Sequence, residues 1–138
     1  MPYDPQLVKP MREELTVLGI RELLTAEEVE EYMAETTGTT LLVLNSVCGC
    51  AAGMARPGVR MALAHDKKPD RVATVFAGQD LEATEKARSY LADLPPSSPS
   101  MVLFKDGEVV EFLPRHRIEG REPIDVAGDL IKAFEEHR

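Results

Sequence analysis

The sequence has 138 residues, enough for one folded unit with a real core and too few for two. It is 43% hydrophobic and 29% charged, with a formal charge of −8 that argues against nucleic acid as a partner, because phosphate binding draws on clustered Lys and Arg. No apolar run nears bilayer length, and Met1–Pro5 lacks the basic flank and apolar stretch of a secretory signal, so a cytoplasmic protein away from membranes is expected.

Apolar residues at 7, 8, 11, 15 and 18 predict an N-terminal helix over Gln6–Leu18, with Pro10 placed in its first turn and Gly19 ending it. Ile20–Leu24 reads as a short strand. Thr25 followed by Glu27 and Glu28 is a helix start, giving a helix from Ala26 to about Thr36, whose glutamates form a solvated face. Thr39–Val47 is apolar and β-branched without alternation, the pattern of a central strand covered on both faces. A helix over Ala51–His65 contains Pro57, which predicts a kink rather than a break, and Met54 and Met61 on it read as core or groove packing.

Arg71–Ala77 is a second interior strand, followed by a helix over Asp80–Leu91 capped by Gln79 or Asp80. A proline-serine loop, Leu94–Ser100, leads into strands Met101–Lys105 and Glu108–Leu113, joined by the hairpin signal Asp106-Gly107. Pro123 opens a final amphipathic helix carrying Ile124, Val126, Ala127, Leu130, Ile131 and Phe134. This order implies an α/β domain with a parallel sheet and an antiparallel hairpin edge. It is the order of a thioredoxin-like fold, a central mixed sheet flanked by helices, over the single domain 1–138. Residues 1–19 form an extra N-terminal helical extension and 20–138 the core.

The two cysteines are Cys48 and Cys50. A bridge across one residue closes almost no loop, so a stabilising disulfide is the weaker reading and a reactive or metal-binding pair the stronger. Cys48 falls at a strand–helix junction, where backbone N–H groups and the helix dipole favour thiolate over thiol. That makes Cys48 the nucleophile and Cys50 the resolving thiol. Side chains two apart on a regular helix diverge, so Cys48 must precede the helix, with Gly49 supplying a permissive backbone. The small disulfide ring is expected to be strained and easily reduced. Metal is not expected. His65, His116 and His137 are the further soft candidates, and none has ligand spacing to the pair.

Pro99–Val109 resembles the cis-proline, strand and hairpin segment of thioredoxins, which implies a cis Ser98–Pro99 bond and a substrate groove formed by Ser98, Pro99 and Ser100. Asn45-Ser-Val-Cys-Gly-Cys-Ala-Ala-Gly-Met-Ala-Arg-Pro57, with the stretch from Pro114 to Gly120, is similar to the bacilliredoxins over nearly the whole chain. That resemblance implies a thiol–disulfide oxidoreductase or disulfide isomerase that removes bacillithiol from protein mixed disulfides. No cofactor is bound; bacillithiol is the co-substrate, and the partners are bacillithiolated or disulfide-bonded client proteins and a recycling thiol or reductase. Two thioredoxin features are missing. There is no Trp, so Val47 precedes the first cysteine, and Leu42 stands where a buried acid is found.

Asn45 and Ser46 read either as strand-end caps or, for Ser46, as a hydrogen-bond partner of a sulfur. Arg56 reads most simply as part of a solvated helix face; in the other reading it assists the thiolate or pairs with a carboxylate of bacillithiol's malate group. His116 is given no catalytic role, and the basic stretches Lys67-Lys68 and Arg115–Arg117 read as ordinary surface. Two competing functions use the same pair: a non-enzymatic metal or iron–sulfur protein completed by a second subunit, or a redox-sensing interaction module.

Overall fold

The computed structural model describes residues 2–137. Helix α1 (Pro5–Thr16) is capped by Asp4, whose carboxylate accepts from the Gln6 N–H at 2.8 Å. Pro5 takes the first-turn position, so Pro10 lies inside the helix, not in its first turn. Strand β1 is only Arg21–Glu22, shorter than the pattern suggested, although the next backbone N–H, from Leu23, still bonds Thr74 O at 2.9 Å. Helix α2 (Ala26–Ala34) starts as expected, with the Thr25 hydroxyl accepting from the Glu28 N–H.

Strand β2 (Thr39–Asn45) is buried along its whole length and ends two residues before the expected Val47. A π turn over Ala51–Ala55 then runs into α3 (Arg56–Leu63). The Arg56 N–H reaches back five residues to Ala51 O. This wider turn accommodates Pro57, which has no N–H and would crowd the carbonyl of Gly53 in a regular helix. The predicted kink is thus a π bulge.

Strand β3 (Arg71–Phe76) leads to α4 (Leu81–Ser89). Asp80 occupies its N-cap but gives no side-chain cap bond, because Arg12 of α1 holds the carboxylate through two contacts of 2.7 and 2.9 Å. Gln79 is likewise engaged with the backbone of Tyr3. Strands β4 (Ser100–Lys105) and β5 (Glu108–Leu113) turn through Asp106 and Gly107, both with positive φ, as an Asp-Gly hairpin of the primed type requires. Helix α5 (Pro123–Glu136) opens on a reciprocal capping box between Glu122 and Asp125.

The sheet order is β1-β3-β2-β4-β5, with β1, β3 and β2 parallel and β4 and β5 antiparallel to their neighbours. Alternate residues of β2 enter two cores. Leu41 and Val43 pack with α3 and α5, and Leu42 and Leu44 with α2 and α4. The thioredoxin-like architecture follows, with α1 as the addition. Met54 packs against the first core, whereas Met61 is exposed. Among the described residues, no helix is long and apolar enough to cross a membrane.

Candidate active site at the end of strand β2

Strand β2 delivers its last residue, Asn45, to the carboxyl edge of the sheet, and the chain turns through Ser46 and Val47 to Cys48. The Cys48 carbonyl accepts from the N–H groups of Ala51 and Ala52, at 3.1 and 3.2 Å. Cys48 therefore stands at the mouth of the helix, and Cys50 sits in its first turn with helical φ and ψ. The thiols are free, with sulfurs 2.6 Å apart. Cys48 is partly exposed and Cys50 buried.

Their environments push the two thiols apart. Burial opposes ionisation of Cys48, but hydrogen bonds from the Cys50 thiol, the Ser46 hydroxyl and the backbone N–H groups of Ala51 and Cys50 outweigh it. They hold the Cys48 thiol below the ordinary value. Burial raises Cys50, and its bond to Cys48 and the charge there raise it further; Arg115 works against this and Glu119 with it. The two thiols are thus distinguished by position, one partly exposed and lowered, the other buried and raised.

Gly49 is exposed, and its φ is not positive, so a permissive backbone is not what brings the sulfurs together. An added Cβ there would meet nothing within 4 Å. The meeting follows instead from Cys48 lying ahead of the first full turn.

Arg56 overturns its reading as a solvated residue. It is 3% exposed, and its Nη1 donates to Asn45 Oδ1 at 2.9 Å and to Ser46 O at 2.8 Å. Buried beneath the turn, it is unavailable to a carboxylate of an incoming thiol. Asn45 is more than a cap: its Oδ1 also accepts the Ser46 N–H at 2.8 Å, and its Nδ2 donates to Met11 O of α1 at 3.3 Å. Ser46 Oγ accepts the Cys48 N–H at 3.3 Å.

The Ser98–Pro99 bond is cis. Ser100, the first residue of β4, lies opposite Leu44, which sets the loop beside the end of β2 and the turn to the cysteines. Pro99 and Ser100 are buried, and Ser100 Oγ donates inward to Ser97 O at 2.8 Å. A cavity of about 190 Å³ behind the loop is lined in part by Leu44, Leu91, Phe112, Ser97 and Ser100. Leu44 and Phe112 belong to the α2 and α4 core, so this cavity lies across the sheet from α3.

Sequence reasoning missed Arg115. It opens a 3-10 turn after β5, donates its N–H to Ser97 Oγ at 2.7 Å, and pairs its side chain with Glu119 at 3.1 Å. Its charge is felt by both cysteines, and the thiols in turn help raise its pKa, after the larger effect of Glu119. Its signal in the sequence is the basic stretch Arg115–Arg117, which reads there as ordinary surface. The stretch is not a uniform patch, since Arg117 turns away to Glu111 and Asp129. Among the described residues, no group of three or more His, Cys, Asp or Glu is placed to hold a metal ion.

Comparison with known proteins is consistent with this geometry. A Fasciola hepatica thioredoxin superposes with a TM-score of 0.60 at 24% identity, covering 86% of this chain and all of that one. Thioredoxin O2 from Arabidopsis thaliana gives 0.55 at 15% identity, covering 83% and 94%. Both establish the fold. In sequence, residues 3–138 match the family described as Disulphide isomerase. A bacilliredoxin of Halalkalibacterium halodurans is 61% identical over 135 residues, 98% of this chain and 94% of the relative. One from Salinibacter ruber is 57% identical over 137 residues, 98% and 81%. With likeness of this extent added to a thioredoxin fold, the chain belongs to the bacilliredoxin family of thiol–disulfide oxidoreductases.

Proposed function

We propose that the protein removes bacillithiol from mixed disulfides on client proteins, with Cys48 as nucleophile and Cys50 as resolving thiol. The observation that carries this reading is the asymmetry of the pair. A partly exposed thiol held toward thiolate has a buried thiol, held toward its protonated form, 2.6 Å behind it.

The Cys48 thiolate attacks the bacillithiol sulfur of the mixed disulfide. The client cysteine leaves as thiolate and takes a proton from solvent, and bacillithiol is now bonded to Cys48. Cys50 then loses its proton and attacks the Cys48 sulfur, which releases bacillithiol as thiolate and leaves a Cys48–Cys50 disulfide. Two electrons from an external thiol or dithiol reductase restore the pair. Formation of the mixed disulfide removes the negative charge on Cys48 that faces Cys50, so Cys50 stays protonated until the first step is complete and ionises more readily after it.

Arg115 is the exposed cation at the rim, and it replaces Arg56 as the group available to the malate carboxylates of bacillithiol. The Disulphide isomerase description of the family favours a second substrate class, protein disulfides, attacked by the same thiolate in the same first step.

The test is release of bacillithiol from a mixed-disulfide protein. Wild type should release it and Cys48→Ala should not, while Cys50→Ala should release the client but retain bacillithiol on Cys48, visible as an intact-mass adduct. A wild type as inert as Cys48→Ala sinks the proposal.

A further inference from the structure

We propose that Arg56 is the positioning residue of the nucleophile, gripping the Asn45–Ser46 turn from below so that the Ser46 hydroxyl is held against Cys48. The inference deepens the function proposed above, since it assumes that Cys48 is the reacting thiol, but it concerns ionisation of that thiol and not the identity of the substrate.

Leu42 of β2 is fully buried in the α2 and α4 core and carries no polar group toward the active-site turn. What lies under the turn is a guanidinium. Arg56 is the first residue after the π turn, and the extra residue per turn of that segment swings its side chain back beneath the end of β2. One nitrogen, Nη1, spans two acceptors on adjacent residues, Asn45 Oδ1 and Ser46 O. The same Asn45 oxygen accepts the Ser46 N–H, so three bonds close on a two-residue segment. Ser46 is thereby fixed at both its backbone polar groups, and its Oγ accepts the Cys48 N–H at 3.3 Å, which sets the hydroxyl beside the nucleophile, where it favours the thiolate.

A buried cation is costly unless it is paired. The counter-charge comes from the N-terminal helix, where Glu14 Oε2 lies 3.2 Å from Arg56 Nε. The contact is ionic and not aligned as a hydrogen bond, since Nε has no hydrogen-bond partner. Helix α1 also supplies Met11 O to Asn45. The helix added to the thioredoxin plan therefore completes the support of the turn. The other charged groups felt by the thiols are Arg115 and Glu119, both at the surface.

A positioning role through Ser46 differs from a direct charge effect of Arg56 and from plain stabilisation. The experiment is a double-mutant cycle. The full-length reduced protein, Ser46→Ala, Arg56→Gln and the double variant are each alkylated with iodoacetamide across pH 5–10, in the absence of any disulfide substrate. Mass spectrometry follows the singly modified product at Cys48, and circular dichroism reports the fold. Ser46→Ala and Arg56→Gln should each raise the midpoint by about one pH unit, the equivalent of one hydrogen bond to a charged group. The double variant should match the single ones.

Arg56→Lys keeps the charge but replaces the planar guanidinium with an ammonium on a flexible stem, which does not hold the Asn45 and Ser46 acceptors in the same geometry, and should show most of the rise. It serves in place of Arg56→Gln if the neutral variant does not fold. An unchanged midpoint in a folded Arg56 variant overturns the proposal. So does an Arg56→Gln shift that persists in full in the Ser46→Ala background, because Arg56 would then act by its own charge. Because no substrate enters the assay, a failure here is distinguishable from a failure of the bacillithiol reading.

Discussion

At the scale of single residues, the site separates cations by depth. Arg56 is inside, holding the turn, and Arg115 is outside, paired with Glu119, where the proposed function has it meet a carboxylate of bacillithiol. The expected consequence can be read in a Cys50→Ala background, where only the first attack occurs. Arg115→Gln should slow removal of bacillithiol from a client by about two- to five-fold, the worth of one exposed ion pair. Removal of a neutral adduct, such as that of 2-mercaptoethanol, should be unchanged in the same variant. Equal slowing of both would make Arg115 a general electrostatic aid and not a recognition residue.

At the scale of elements, the placement of α3 depends on how closely α5 can approach it. Gly58 permits that approach: a Cβ there would fall 2.7 Å from Val126 Cγ1 and 2.9 Å from Val126 Cβ. In an exposed helix the change to alanine would stabilise by about 1 kcal/mol. Here the overpacking outweighs it, and Gly58→Ala should destabilise the protein by about 1–3 kcal/mol in urea unfolding. A neutral or stabilising result would show that Val126 can move aside. The same elements explain why the cysteines are presented as they are. The π turn between Cys50 and Arg56 lets one helix both carry Cys50 and tuck a cation under the strand end.

At the scale of the whole molecule, the groups that hold the site together come from distant stretches of chain. Helix α1 is tied to α4 by Arg12 and Asp80 and to the active-site turn by Met11 and Glu14. The 3-10 turn that carries Arg115 is tied to α5 by Asp129, which takes Arg121 at 2.6 Å and Arg117 at 3.4 Å. The hydrogen bond from Arg121 is the main reason that the Asp129 carboxyl lies below its ordinary value, burial opposing it. A depressed carboxyl contributes stability above its unfolded pKa of about 4 and loses it as pH falls through the folded value. Asp129→Asn should therefore lower the melting temperature at pH 7, and its gap to wild type should narrow progressively as pH falls below about 4 toward the lowered folded value. A constant gap between the two across that range would remove Asp129 from the acid response.

The sequence by itself determined the order of elements, the central strand, the hairpin turn and the place of the cysteine pair at a strand–helix junction, because each rests on signals a few residues long. An unbroken apolar β-branched run can satisfy itself only inside a sheet, Asp-Gly suits a primed turn, and two cysteines one residue apart can close no useful loop. Family likeness then supplied the cis bond at Pro99, which no local pattern dictates. Only the tertiary structure decided what lies around the thiols. Arg56 reads as solvated from sequence because a charged residue on a helix is mostly exposed; its burial depends on a π turn and on partners 10 and 11 residues earlier. Arg115 reaches the rim because its N–H is held by Ser97, 18 residues before it. Side-chain burial and pairing are set by where distant segments meet, and one-dimensional periodicity carries no record of that meeting.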